Sequence, residues 1–248
     1  MEPSRTLADA AMPFLDHLQE LRGCLARTCI AIIVGSIVCF MWSGELFSFL
    51  TLPLHLAFDK VSLIGTGPAE AFIVKLKVSI VAGILVTSPY SFFELWRFIA
   101  PGLHSNEKGA ALPFVFFSTL FFLTGVGFCY YIIFPFTFSF FMEEFASIGI
   151  EPTIKIGEYL SFVVKLLSIF GLVFELPVLT FLLSRLGLVS HLWLIDKFRY
   201  AVVGIFVIAA ILTPPDVITQ LLLAGPLIFL YGVCIAIARF VTPKKKSS

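Results

Sequence analysis

The sequence predicts an all-α integral membrane protein with six transmembrane helices and both termini in the cytoplasm. Three observations carry that prediction. Apolar residues fill 59% of the 248 positions and charged residues 13%, with a mean hydropathy of +1.01, whereas a soluble domain has about 45–50% and 25%. The apolar residues gather into six runs, most of them near the ~20 helical residues that a hydrocarbon core of about 30 Å requires. Lys and Arg fall mainly on one side of those runs, the side that stays cytoplasmic.

The chain reads as a single membrane domain over residues 1–248. Glu2, Asp9 and Asp16 stand where a cleavable signal would carry a basic region and a short apolar core, so the first span is expected to remain as an anchor. Residues 12–27 read as an amphipathic cytoplasmic helix. Phe14, Leu18, Leu21 and Leu25 make one stripe at i, i+4, i+7 and i+11, and Asp16, Glu20 and Arg22 lie off it.

The spans fall at about 28–46, 72–98, 110–141, 159–184, 199–212 and 217–239, followed by a basic tail over 240–248. The third is long enough to project or bend, with Pro113 and Pro135 near its ends. The fifth has about 14 residues, near 20 Å, too short for an unperturbed bilayer. The segments 47–71 and 142–158 contain Pro and Gly and are expected to hold short helical pieces. In "LTPPD", Pro214 and Pro215 end the fifth helix, because neither can donate a backbone hydrogen bond.

Orientation follows from the basic residues. Arg22, Arg27, Arg97, Lys108, Arg185, Lys197, Arg199 and the Lys244–Lys246 run share the tail side. Lys60, Lys75, Lys77 and Lys155 are on the other. The chain is therefore expected to be a multi-pass membrane protein, N-in and C-in.

Ionisable groups inside apolar runs need a reason. An acid at the centre of a span costs about 2.5–3.5 kcal/mol on insertion scales. Glu175 lies in "VVKLLSIFGLVFELPVLTFLL", and the expected role is a functional one, facing a groove or a partner. Pro177 frees the carbonyl of Val173, so a bend is expected beside the acid. Lys165, roughly 15 Å and 80° away on one helix, snorkels to the interface. Asp216 is placed to cap the last helix. Gln220 bonds another helix, from this chain or a second one. Glu20 and Glu107 taken singly read as solvated charges; together they make a possible cation site, since a carboxylate binds a guanidinium bidentately.

Other classes are excluded. No phosphate-binding glycine loop, dinucleotide fingerprint, HExxH or nucleophile elbow occurs, so neither an enzyme nor a cofactor is expected. The five cysteines lack metal-ligand spacing and read as small apolar residues. Lys244–Lys246 is a topology signal and no nucleic-acid patch.

Four segments together resemble the TatC family of twin-arginine translocase subunits. They are "HLQELR" at 17–22, "SPYSFFELWRFIAPGLHSNEK" at 88–108, "YLSFVVKLLSIFGLVFELPV" at 159–178 and "LTPPDVITQ" at 212–220. The resemblance covers nearly the whole chain. It implies a cupped arrangement whose last two helices are short. It implies a receptor for folded proteins with twin-arginine signal peptides, driven by the proton-motive force, without a cofactor. Glu20 and Glu107 match the glutamates that bind the arginine pair. Phe98 and Leu103 match positions shaping the same surface, and Arg22 matches the basic residue of the N-terminal motif. Glu175 matches the intramembrane glutamate of the face where the single-span partners TatA and TatB pack. Thr213 and Gln220 match polar positions implicated in docking those partners, and Pro53 matches a proline of the first outer loop. Further copies of the chain are expected in the complex. Gly109 and Asp16 depart from relatives and bear on signal-peptide selectivity. The alternative from the residues alone is an ion-coupled secondary transporter built on Lys165 and Glu175.

Overall fold

The computed structural model describes residues 7–57, 62–99, 111–213 and 216–241. Leu103, Glu107, Pro214, Pro215 and most of the basic tail lie outside the described residues, as do the side chains of Phe14 and Asp16. The helices are α1 (Leu7–Phe40), α2 (Ser43–Ala57), α3 (Glu70–Ile99), α4 (Ala111–Phe128), α5 (Phe134–Ser147), α6 (Ile156–Val173), α7 (Leu176–Arg185), α8 (His191–Leu212) and α9 (Val217–Val241). Strands β1 (Ser62–Ile64) and β2 (Thr153–Lys155) pair in parallel, Leu63 opposite Ile154.

Among the described residues, five stretches are long and apolar enough to cross a membrane: Leu18–Phe40, Glu70–Ile99, Leu112–Ser147, Ile156–Arg185 and Val217–Val241. The sixth expected span belongs to α8 and differs from the expectation. The helix starts at His191, not at 199, because the Ser190 hydroxyl accepts from the Trp193 amide and caps it. Its first turns carry Asp196, Lys197 and Arg199, so only the later part is uniformly apolar. The last helix is not short. α9 has 25 residues, about 37 Å of helix, and Pro226 lies inside it.

The N-terminal region also differs. Residues 12–27 and the first span form one continuous helix of 34 residues, α1, which ends at Phe40, not at 46. Gly23 alone does not break it; a helical glycine costs only about 1 kcal/mol. The Met41 amide donates to Val38 in a tightened last turn, and Trp42 accepts the first bond of α2.

The third span bends as its prolines suggested. α4 and α5 are joined by a π-helical turn, Cys129–Ile133, where the Phe134 amide donates to the Cys129 carbonyl. Pro135 follows at the start of α5. Its missing N–H and its ring disfavour an ordinary turn there, and the wider π-turn accommodates both. Two helices end in the same way. Gly149 and Gly187 have φ of 70° and 73°. In each case the glycine amide and the next amide turn back to two orphan carbonyls: Gly149 to Ala146 and Ile150 to Phe145, Gly187 to Ser184 and Leu188 to Leu183. This is the Schellman closure, which needs a residue free to adopt positive φ.

The chain divides into two compact units, Met1–Met41 with Ser79–Thr119, and Trp42–Val78 with Leu120–Ser248. In the first, α1 and α3 cross at small residues. A Cβ on Gly83 would lie 2.7 Å from the Ser36 nitrogen, and one on Gly35 would lie 2.7 Å from Thr87 Cγ2. Such close approach is how helices pack where lipid supplies no hydrophobic drive. Trp96 packs on Phe114, ring centres 4.6 Å apart. In the second unit, α9 packs on α7 and α8, and α2 packs on α5. Phe134, Phe138, Tyr159 and Phe170 are buried there.

Candidate functional site

In the first unit, the polar residues of α1 repeat with helical spacing. Glu20, Gly23, Cys24 and Arg27 stand at i, i+3, i+4 and i+7 and so share one face. With Gln19 and with Arg97 and Phe98 of α3 they line a cavity of about 570 Å³. The apolar stripe behaves oppositely to a soluble protein. Leu18, Leu21 and Leu25 are exposed, and Cys24 is buried against α3. Its Sγ donates to the Glu94 carbonyl at 3.3 Å.

Glu94 anchors this face. Arg27 Nε donates to its Oε2 at 2.8 Å and Nη2 lies 2.7 Å from the same oxygen. The Tyr90 hydroxyl donates to Oε1 at 3.1 Å. The Glu94 side chain is 3% exposed and that of Arg27 43%. The pair is thus half-buried, with a carboxylate held by two charge-assisted donations, the strong kind.

Of the residues expected here, the structure brings Glu20 and Phe98 to one cavity. Arg22 is exposed and outside the lining. Leu103 and Glu107 belong to residues not described. Glu94 and the part played by Arg27 and Arg97 were missed. The rule applied to Glu175, that an acid in an apolar run needs a partner, would have found Glu94 in "SFFELWRFI".

In the second unit, the bend expected at Glu175 is a full break between α6 and α7. The Phe174 amide donates to Phe170, and the Glu175 amide to Leu172, a tighter i−3 bond. Pro177 then sits in the first turn of α7, where its missing N–H costs nothing. Glu175 is buried, 7% exposed. Lys165 is exposed on α6. The two do not share a helix, and the spacing of 15 Å and 80° expected from one helix does not apply.

The remaining polar positions have partners within the chain. Asp216 caps α9: Oδ1 accepts from the Thr219 amide at 2.6 Å, and Oδ2 accepts from the Thr219 hydroxyl. Gln220 Nε2 donates to the Phe206 carbonyl at 3.0 Å, tying α9 to α8. Within this chain, Phe206 is therefore one partner of Gln220. Thr213 is buried and donates to Ala209 at 2.9 Å. Pro53 lies inside α2 and is buried. Among the described residues no three His, Cys, Asp or Glu side chains are grouped to hold a metal.

Comparison with known proteins adds a family. Residues 16–226 match the family model described as Sec-independent protein translocase protein (TatC). The Sec-independent protein translocase protein TatC of Desulforapulum autotrophicum is 43% identical over 236 residues, 95% of this chain and 87% of that one. The protein of the same name from Helicobacter pylori is 42% identical over 232 residues, 94% and 91%. A crystal structure of the twin arginine translocase receptor TatC superposes with a TM-score of 0.84 at 35% identity, covering 92% of this chain and all of that one.

Proposed function

Because the chain belongs to the TatC family of Sec-independent translocase proteins, a family of multi-pass membrane proteins in protein transport, we propose that it is the receptor subunit of a twin-arginine translocase. It binds the twin-arginine signal peptides of folded proteins at its cytoplasmic face. It assembles with TatA and TatB and with further copies of itself, and export draws on the proton-motive force. It sits in a bacterial or archaeal cytoplasmic membrane with both termini inside.

The observation that carries this reading is the cavity at Glu20. It pairs a carboxylate near the start of the apolar stretch Leu18–Phe40 of α1 with Phe98 at the end of α3. A volume of about 570 Å³ is in the range of small-ligand pockets, about 300–1,000 Å³. It suits one or two guanidinium side chains and no folded cargo, so recognition rests on the signal and not on the passenger. Glu107 is assigned the second carboxylate of the same site, and Leu103 a place on its surface. Arg22, exposed beside the cavity's helix face, is assigned to the same signal-peptide-binding surface. For the partner helices, Glu175, Thr213, Gln220 and Pro53 are the assigned positions, all in the second unit. No observation favours the small-solute transporter.

The test is binding of a labelled twin-arginine peptide to the full chain in nanodiscs. Wild type is expected to bind it and to reject the two-lysine peptide, and Glu20→Ala/Glu107→Ala is expected to lose binding at least tenfold. Equal binding of both peptides, or an unaffected double variant, refutes the reading.

A further inference from the structure

The cavity that holds Glu20 is not acidic by itself. Its described lining carries Glu20, Arg27 and Arg97, a formal charge of +1, and the Glu107 carboxylate assigned to the same site brings that only to zero. A site that receives a cation gains from a net negative charge. That charge is one layer away. Glu94 is not part of the lining, yet its carboxylate holds Arg27 through Nε and Nη2 at 2.8 and 2.7 Å, which takes the group to −1.

Position makes the correction matter. Glu20 and Arg27 are seven residues apart on the continuous helix α1. That is about 10.5 Å of rise and about 20° around the axis, so both face the cavity. A guanidinium bound at Glu20 lies about one Debye length from Arg27 in bulk solution, ~8 Å at physiological salt. Within a cavity walled by protein, screening is weaker and the effective dielectric is nearer 20 than 80. A bare Arg27 would therefore repel the guest. Glu94 prevents this in two ways: it cancels the charge, and it holds the guanidinium against α3. The Tyr90 hydroxyl on the other oxygen fixes the carboxylate for that task. Direct contact between Glu94 and a guest is not available, since the side chain is 3% exposed and both its oxygens are engaged.

We propose that Glu94 is a positioning residue that acts through Arg27 and makes the Glu20 cavity receptive to a cationic signal. This rests on the signal-peptide reading above. A plain structural latch between α1 and α3 is the competing role, and it has a different signature. If Glu94 is a latch, breaking the pair from either side weakens binding. If it sets charge, the two sides act in opposite directions.

The experiment measures the affinity of the twin-arginine peptide for the full chain in nanodiscs at low and high salt. Wild type, Glu94→Gln, Arg27→Gln, Arg27→Lys and Arg27→Gln/Glu94→Gln are compared, with the two-lysine peptide as control. Glu94→Gln is expected to weaken binding about tenfold at low salt, with the loss shrinking at high salt. Arg27→Gln should bind at least as tightly as wild type, the double variant should return to within about threefold of it, and Arg27→Lys should stay near it. An Arg27→Gln chain that weakens binding as Glu94→Gln does, with no rescue in the double variant, overturns the proposal in favour of the latch. If Arg27→Gln fails to fold, Arg27→Lys decides: the charge role keeps its affinity, and the latch, which needs the forked guanidinium, does not. Unchanged affinity in Glu94→Gln, with wild type still rejecting the two-lysine peptide, sinks this proposal alone. Loss of discrimination in wild type sinks the signal-peptide reading and this one with it.

Discussion

Tyr130 donates its hydroxyl to the Phe49 carbonyl at 2.7 Å, and its ring stacks on the Phe49 ring at 4.5 Å with planes 8° apart. Phe49 is the carbonyl that Pro53, four residues on and without an N–H, leaves unserved in α2. Tyr159 serves the next carbonyl, Leu50, also at 2.7 Å. Carbonyls turned into the protein interior need such partners. The hydroxyl of Tyr130 thus stands in for the missing amide of residue 53. Tyr130→Phe should lower stability by about 1–2 kcal/mol. In a Pro53→Ala background, which restores the amide, the same change should cost less than half as much. Denaturant unfolding in detergent measures both, and strictly additive losses would show that the two sites are independent.

The α1–α3 crossing admits no side chain at Gly83. A Cβ there would lie 2.7 and 2.9 Å from Ser36 N and Cα, backbone atoms that cannot swing aside. Gly83→Ala should destabilise by about 1–3 kcal/mol and weaken peptide binding, because the same two helices carry the Glu20 cavity. Gly127→Ala, with nothing within 4 Å of the new methyl, is the control. It should leave the thermal midpoint unchanged or slightly raised. Equal effects at both positions would contradict the crossing.

Glu70 clamps two segments at the start of α3. Oε1 accepts from the Gly157 amide at 3.0 Å. Oε2 accepts from the Gly67 amide at 3.2 Å and from the amide and hydroxyl of Thr66. Glu70→Gln keeps one acceptor and turns an NH2 toward donors on the other side. Hydrogen exchange at the Thr66, Gly67 and Gly157 amides should then rise about tenfold, with amides in the middle of α9 unaffected as an internal reference. No change at those three amides would show that the clamp does not hold the segments.

Asp216 caps α9 through the Thr219 amide. Asp216→Ala should cost about 1 kcal/mol and Asp216→Asn less, since an amide oxygen still accepts. The unfolding midpoints of the two variants, read side by side, check the order; Asn as damaging as Ala would mean the cap is not the stabilising element.

What the sequence made legible follows from what each residue forces. Pro177 had to disturb the helix at Glu175, because its nitrogen carries no hydrogen and its ring occupies the i−4 carbonyl's space. Asp216, one residue before an apolar run, had the side chain of a cap. Five of the apolar runs overlap stretches of helix long and apolar enough to cross a membrane. Other features were hidden for equally physical reasons. Hydropathy began the fifth span at Arg199, although charge does not bar a helix and the Ser190 cap starts it earlier. It ran the first span through the turn at Met41 and Trp42, which is apolar but not helical. Leu18, Leu21 and Leu25 repeat with a helical period and yet are exposed. In a chain bathed partly in lipid, the apolar stripe does not point to the interior. The face of α1 that meets α3 here is the one with Cys24 and Arg27, both bonded to Glu94. Glu94 could have been singled out by the rule used for Glu175, but its pairing with Arg27, 67 residues away in sequence, is one that spacing cannot reveal.

The central claim is that the Glu20 cavity receives the paired arginines. A photoreactive phenylalanine in place of Phe98, in the full chain in membranes, tests it most directly. The account predicts an adduct with a twin-arginine signal peptide that is lost with the two-lysine peptide and lost again with Glu20→Ala. An adduct of equal yield in all three cases would contradict it.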